Sequence, residues 1–207
     1  MPSGRPPAHS RAEFVHAAVR IADQLGLDAV SMRKLAADRG VTSAAIYRYF
    51  NDKEDLLAAV RESLMTELLQ DLPAQGPRER LFALGQAFRD QTRAHPCLAE
   101  FSTRSATEGE MSGAIPAFIL EQLRQLGLEG GALVRGFRQL ESFVVGSSMF
   151  DFADAPNHLS DRLARVTRSQ DPALTTLLKS ESDVDADNEA AFTTTFNWIL
   201  DGLILRA

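Results

Sequence analysis

Between Ser31 and Lys53 the chain reads Ser-Met-Arg-Lys-Leu-Ala-Ala-Asp-Arg-Gly-Val-Thr-Ser-Ala-Ala-Ile-Tyr-Arg-Tyr-Phe-Asn-Asp-Lys, a short run dense in small residues, hydroxyls and cations. Ser43 and Ala44 are small enough to let a helix backbone approach base edges in a major groove about 12 Å wide, and an alanine methyl can touch a thymine methyl. Thr42 stands where an N-cap would leave unpaired N–H groups and a partial positive charge facing a phosphate. Tyr47, Arg48, Tyr49 and Lys53 add hydroxyls and cations within one or two turns, a phosphate clamp beside a reading tip. Arg33, at the start of the preceding segment, has the length and forked donors to reach guanine O6 and N7.

Two readings stand for several of these residues. Tyr47 and Tyr49 would equally serve as amphipathic packing for a short helix, Lys53 as a solvated first-turn lysine, and Arg33 and Lys34 as surface charges.

Other chemistry finds little support. His9, His16, His95, His158 and Cys97 share no metal-ligand spacing. Asp183, Asp185 and Asp187 open like a calcium loop, but the sixth position is Asn188 and the twelfth Thr194, so a solvated loop with Asp187 or Asn188 capping the last helix is expected. No nucleophile elbow, phosphate loop or paired carboxylate is present, and neither enzyme activity, cofactor nor metal is expected.

The elements that must position the run follow from periodicity and caps. Residues 1–9, rich in Pro, Ser, Gly and Arg, read as a flexible arm. Ser10 with Glu13 forms a capping box for a helix carrying Phe14, Ala18, Ile21, Ala22 and Leu25, which Gly26 ends. Ser31 caps a helix of barely two turns, closed by Gly40 in a left-handed C′ position. A third segment, 43–49, turns Ile46 and Phe50 back onto the first two. Asn51 with Glu54 gives a capping-box pattern for a fourth helix bearing Leu56, Leu57, Val60, Leu64 and Leu68, a connector as far as about residue 71.

Beyond it the helical period resumes from Pro77 through Leu81, Leu84 and Phe88 to His95-Pro96, then over 96–105, 114–126, 130–152 and 188–205, with weaker helices at 157–168 and 172–179. No stretch alternates as a strand would. The fold class is therefore all-α: a helix-turn-helix DNA-binding domain at 10–60 and a second helical domain at 72–207.

Charge divides the same way. The chain is −6 overall, yet residues 1–61 hold nine Lys/Arg against seven Asp/Glu, whereas residues 62–207 hold thirteen against twenty-one. Only the N-terminal part has the sign to approach phosphates. A lone cysteine, no secretory signal pattern and no apolar stretch of about 18 residues point to the cytoplasm and away from a membrane.

These residues resemble the DNA-binding domain of the tetracycline-repressor (TetR) family of bacterial regulators. The resemblance spans 11–60 through Ala17-Ala18, Ser31-Met32-Arg33, Gly40-Val41, Tyr47, Phe50, Lys53 and Leu56-Leu57. It implies phosphate contacts from Tyr47 and Lys53, base contacts from Ser43 and Ala44, and a candidate second reader in Arg33. Arg39 departs from the pattern, standing where the family carries an apolar residue. His95-Pro96, Thr103-Arg104, Glu121-Gln122-Leu123 and Phe143 to Gly146 resemble the C-terminal domain of tetracycline repressors. The position of that subfamily's drug-holding histidine is taken by Glu100, so tetracycline is not the expected inducer.

The resemblance implies a dimer that binds a palindromic operator, usually as a repressor, and is released by an unidentified small-molecule effector that shifts the fourth helix. Phe88, Phe101, Phe118, Phe137 and Phe143, with Arg104 as a polar anchor, are candidate pocket residues; plain core is the other reading. Phe137, Val144 and Ser148 on helix 130–152, with Phe192, Phe196, Ile199 and Leu203 on the last helix, are candidates for the dimer interface or for an intrachain core. A helix-turn-helix used mainly to bind another protein is the alternative function.

Overall fold

In the computed structural model, residues 10–70, 72–73, 76–105, 113–150 and 184–205 are described. They form helices α1 (Arg11–Leu25), α2 (Met32–Arg39), α3 (Ser43–Ile46), α4 (Lys53–Glu67), α5 (Pro77–Ala94), α6 (Cys97–Ser105), α7 (Ala114–Gln125), α8 (Gly130–Phe150) and α9 (Val184–Ile204), with a 3-10 turn at Leu27–Ala29. The expected all-α class holds, without a strand among the described residues. The arm at 1–9, the helices expected at 157–168 and 172–179, and Asp183 lie outside them. Because α9 begins at Val184, Asp187 and Asn188 fall inside its first turns rather than at its cap.

The chain divides into two compact units. The first contains residues up to Glu67 together with His95–Glu108, so α6 belongs with the N-terminal helices and not with the segment after residue 72. Its interior explains why: Leu98 and Phe101 of α6 are buried, as are Phe14, Ala17, Ala18, Leu35, Ile46, Phe50, Leu56 and Val60 from the other helices. The α1 capping box forms as its residue types dictate, with Glu13 N–H donating to Ser10 Oγ at 3.2 Å and Ser10 N–H to Glu13 Oε2 at 2.6 Å. Ser31 Oγ caps α2 by accepting from Lys34 N–H. Gly40 ends α2 at φ 65°, a left-handed geometry that costs a side-chain-bearing residue free energy and glycine almost none.

Three local expectations change. The helix expected at 43–49 stops at Ile46 and continues as a turn, because Tyr49 N–H bonds to Ile46 O over three residues. The α4 cap moves by one residue: Asp52 Oδ1 accepts from Asp55 N–H at 2.8 Å, and Asp55 Oδ2 accepts from Asn51 N–H at 2.9 Å. Because α4 starts at Lys53, Asp52 stands at its N-cap in place of Asn51, and Asp55 in place of Glu54 reaches back to the N–H that precedes the cap. Finally, α4 ends at Glu67, short of the expected limit near residue 71.

The second unit packs α5, α7, α8 and α9 around Leu81, Leu123, Leu128, Phe137, Leu140, Phe192, Phe196, Leu200 and Leu203. Phe143 stacks on Phe192 and Phe196 with centroids 5.4 and 5.8 Å apart, and Phe82 stacks on Phe196 at 5.7 Å. Gly85 makes this possible. A Cβ there would lie 2.4 Å from Phe196 Cε1, so only glycine lets the ring rest on α5. Arg89, 2% exposed, sets its guanidinium 4.1 Å from the Phe192 ring centroid and pairs with Glu189 at 3.3 Å. Arg78 ties α5 to α9 through Asp201 and Asn197.

Candidate nucleic-acid interface

The α2–α3 pair is braced from within: Leu35, Ala36, Ile46 and Phe50 are buried, which fixes the orientation of the residues between them. Its outer side carries Arg33, Thr42, Ala44, Tyr47 and Arg48, all exposed, while Ser43 is half-buried. Tyr47 exposes 56% of its surface, an unusual display for an aromatic side chain that could have packed inward. Neither Arg33 nor Arg48 pairs with an acid among the described residues, whereas the nearby acids Asp38 and Asp55 are engaged by Arg20 at 3.1 Å and Arg11 at 3.8 Å. The outward charge of this surface is thereby cationic.

Three expected site residues behave differently from the simplest picture. Thr42 occupies the N-cap of α3, but its hydroxyl makes no capping bond; Ala45 N–H closes the turn on the Thr42 carbonyl at 2.9 Å instead. Its exposed hydroxyl is free of that duty. Tyr49 packs its ring 5.3 Å from that of Phe14 and is half-buried, so its ring forms part of the brace. Lys53 is half-buried and donates from Nζ to the Asp28 carbonyl at 3.0 Å, which anchors it at the start of α4.

The candidate effector residues divide between the two units. Phe101 and Arg104 lie on α6 in the first, where Phe101 is buried; the Arg104 side chain lies outside the described residues. Phe88, Phe118, Phe137 and Phe143 lie in the second. Phe137 is 3% exposed in the core and Phe143 is part of the aromatic stack, while Phe118 receives the guanidinium of Arg80 at 4.8 Å. For Phe137 the structure therefore gives the core reading, while Phe143 joins the aromatic stack and stays half-buried. Sequence reasoning passed over Gln122, whose Oε1 is buried and accepts no hydrogen bond. A buried amide oxygen without a donor costs about 1–3 kcal/mol and marks a place where a ligand donor would be welcome. Among the described residues no cluster of three His, Cys, Asp or Glu side chains is placed to hold a metal ion.

The candidate dimer residues also separate. Phe137, Phe192 and Phe196 are consumed by the chain's own core, and Ser148 is buried with its hydroxyl donating to Val144 O at 2.7 Å. What α8 and α9 leave outside overlaps the expected set only in part. Trp198 is 70% and Leu205 87% exposed, and Gln139, Ser142, Phe143, Trp198, Ile199, Gly202 and Leu203 line an open groove of about 460 Å³. Of the expected contacts, Ile199 and Leu203 lie at this groove. The pattern of Phe192, Phe196, Ile199 and Leu203 is legible as an apolar stripe, but spacing does not tell which side of it a partner would cover.

Residues 14–60 match the family pattern described as bacterial regulatory proteins, tetR family, and residues 71–206 match that of the tetracyclin repressor-like C-terminal domain. The HTH-type transcriptional repressor DrrR1 of Streptomyces coeruleorubidus is 30% identical over 183 residues, covering 86% of this chain and 67% of that protein. The class A tetracycline repressor protein from transposon 1721 of Escherichia coli is 28% identical over 205 residues, covering 93% of this chain and 89% of its own length. In fold, the chain is similar to the TetR family protein ActR of Streptomyces coelicolor, solved in complex with actinorhodin, with a TM-score of 0.68 at 24% identity over 97% of both chains.

Proposed function

The chain belongs to the tetR family of bacterial regulatory proteins, and from that premise we propose that it is a ligand-responsive transcriptional repressor that binds a palindromic operator as a homodimer. The observation that carries the DNA-binding part is the braced α2–α3 pair with Arg33, Ala44, Tyr47 and Arg48 turned outward. Ser43 and Ala44 serve as the reading tip, Arg33 as a second reader, and Thr42, Tyr47, Arg48 and Lys53 as phosphate contacts.

One helix-turn-helix reads only a few base pairs, so useful specificity needs two copies on symmetric half-sites. The outward face of α8 and α9, with Trp198, Leu205 and the groove beside Ile199, supports self-association, because a contiguous apolar surface in water is unfavourable until covered. The effector is a small molecule held in the second unit, where Gln122 supplies an unsatisfied acceptor. Release follows if the bound effector favours a conformation in which the two reading helices no longer match the half-site spacing. Both named relatives are repressors, which favours this reading over that of a protein-interaction module.

Selection of bound fragments from random duplex DNA tests the core of the proposal. An inverted repeat with half-sites one helical turn apart, or a multiple of it, is the expected product. Enrichment of no symmetric sequence would refute the operator-binding dimer.

A further inference from the structure

Glu100 sits on α6, yet within the first unit it addresses a turn that lies between α1 and α2. Its Oε2 accepts from Leu27 N–H at 3.1 Å. Leu27 opens the 3-10 turn Leu27–Ala29, whose leading N–H has no partner inside the turn, and its side chain is wholly buried. One residue further on, the Asp28 carbonyl accepts from Lys53 Nζ at 3.0 Å. A carboxylate from α6 and the ammonium at the start of α4 are therefore fastened to the same three-residue turn.

The helix that carries Glu100 is itself held. Asp23, in the last turn of α1, accepts from Cys97 N–H at 3.3 Å through Oδ1 and meets His95 Nδ1 at 2.8 Å through Oδ2. Asp23 thus caps the start of α6, while Glu100 caps the start of the turn that follows α1. Two carboxylates, pointing in opposite directions along the chain, leave α6 little freedom to slide against α1 without breaking charge-assisted hydrogen bonds.

We propose that Glu100, braced by Asp23, is a positioning residue for operator binding: through the Leu27–Ala29 turn it sets the place of the Lys53 ammonium at a DNA phosphate. The inference rests on the reading of Lys53 as a phosphate contact. A lysine loses much rotamer freedom when it grips a phosphate, and an ammonium already held by a fixed carbonyl has less left to lose. If the turn shifts, Lys53 follows it or loses its anchor.

Lys53→Ala, Glu100→Ala, Glu100→Gln and the double variant Glu100→Ala/Lys53→Ala decide the matter, each as full-length protein titrated with random-sequence duplex DNA across a salt series. Lys53→Ala is expected to flatten the dependence of log K on log salt by about 0.9, the loss of one phosphate contact. Glu100→Ala is expected to flatten it by at least half as much and to weaken low-salt binding roughly three- to tenfold, the size of one ordinary hydrogen bond. Glu100→Gln keeps an acceptor and should restore both. In the Lys53→Ala background the Glu100 change should add nothing to the slope. A cap with only a structural role would lower stability and leave the slope alone, and that result overturns the inference. If Glu100→Ala does not fold, Glu100→Asp, which withdraws the carboxylate by one methylene, should reproduce its slope. Should Lys53→Ala itself leave the slope unchanged, the phosphate reading falls; a flattened slope for Lys53 with a wild-type slope for Glu100→Ala removes the positioning inference alone.

Discussion

Replacing Gly85 with alanine sets two opposed effects against each other inside α5. In a helix interior the change normally gains about 1 kcal/mol, because glycine is the more flexible residue when unfolded. Here the new methyl would stand 2.4 Å from Phe196 Cε1 and 2.9 Å from Cζ. Carbon atoms in contact settle at about 3.5–4.0 Å, so the ring must retreat by more than roughly 1 Å. It has nowhere to retreat to: Phe196 is 1% exposed and has Phe82, Phe143 and Phe192 around it with centroids at 5.7, 5.8 and 5.3 Å. Overpacking of this kind costs about 1–3 kcal/mol, and the clash lies at the severe end because a ring edge, not a flexible tip, is struck. A net loss of about 1–2 kcal/mol is expected, or roughly 2–8 °C in Tm for a chain of this size. Thermal and urea melts at one protein concentration measure it, and in a Phe196→Leu background the penalty should largely vanish. A rise in Tm for Gly85→Ala would refute the reasoning: the ring would then have free space behind it, and the aromatic stack would be the wall of a cavity after all.

Two further outcomes follow from particular contacts. Trp198→Glu changes a residue that is 70% exposed in the single chain, so the fold should survive while self-association is lost. Sedimentation should show half the native mass, with weaker binding to an inverted repeat but unchanged binding to one half-site; an unaltered mass would remove the α9 face as the interface. Burial first, and then the hydrogen bond and charge of Asp23, push the Cys97 thiol well above its ordinary 9.0. The folded state therefore keeps the thiol protonated, and its stabilising share, full below the pH at which the unfolded thiol ionises, is lost from there upward until the folded thiol ionises too. Native protein at pH 8 should resist iodoacetamide and react once unfolded in urea; rapid alkylation of the folded chain would contradict this account.

Much of the first unit is legible in the sequence because its signals are local. A capping box needs only Ser10 and Glu13 three residues apart, and a left-handed helix end needs only Gly40. The outward set of Arg33, Ala44, Tyr47 and Arg48 follows from the same short-range pattern. Local spacing nevertheless misplaces the α4 cap by one residue, because Asn51 and Asp52 are both competent caps and the choice depends on how the chain leaves Phe50.

The chain order and residue types by themselves determined the all-α class, the family and the candidate reading tip at Ser43 and Ala44, since helix period, caps and turn residues act over a few positions. Tertiary structure alone decided what depends on partners far apart in sequence. It placed Tyr49 against Phe14, tied Lys53 to Asp28, brought Glu100 to Leu27, and spent Phe192 and Phe196 on the chain's own core. An apolar stripe records only that a face avoids water. Which neighbour covers it is settled when the helices pack, and here that packing buries Phe196 and leaves Trp198 exposed.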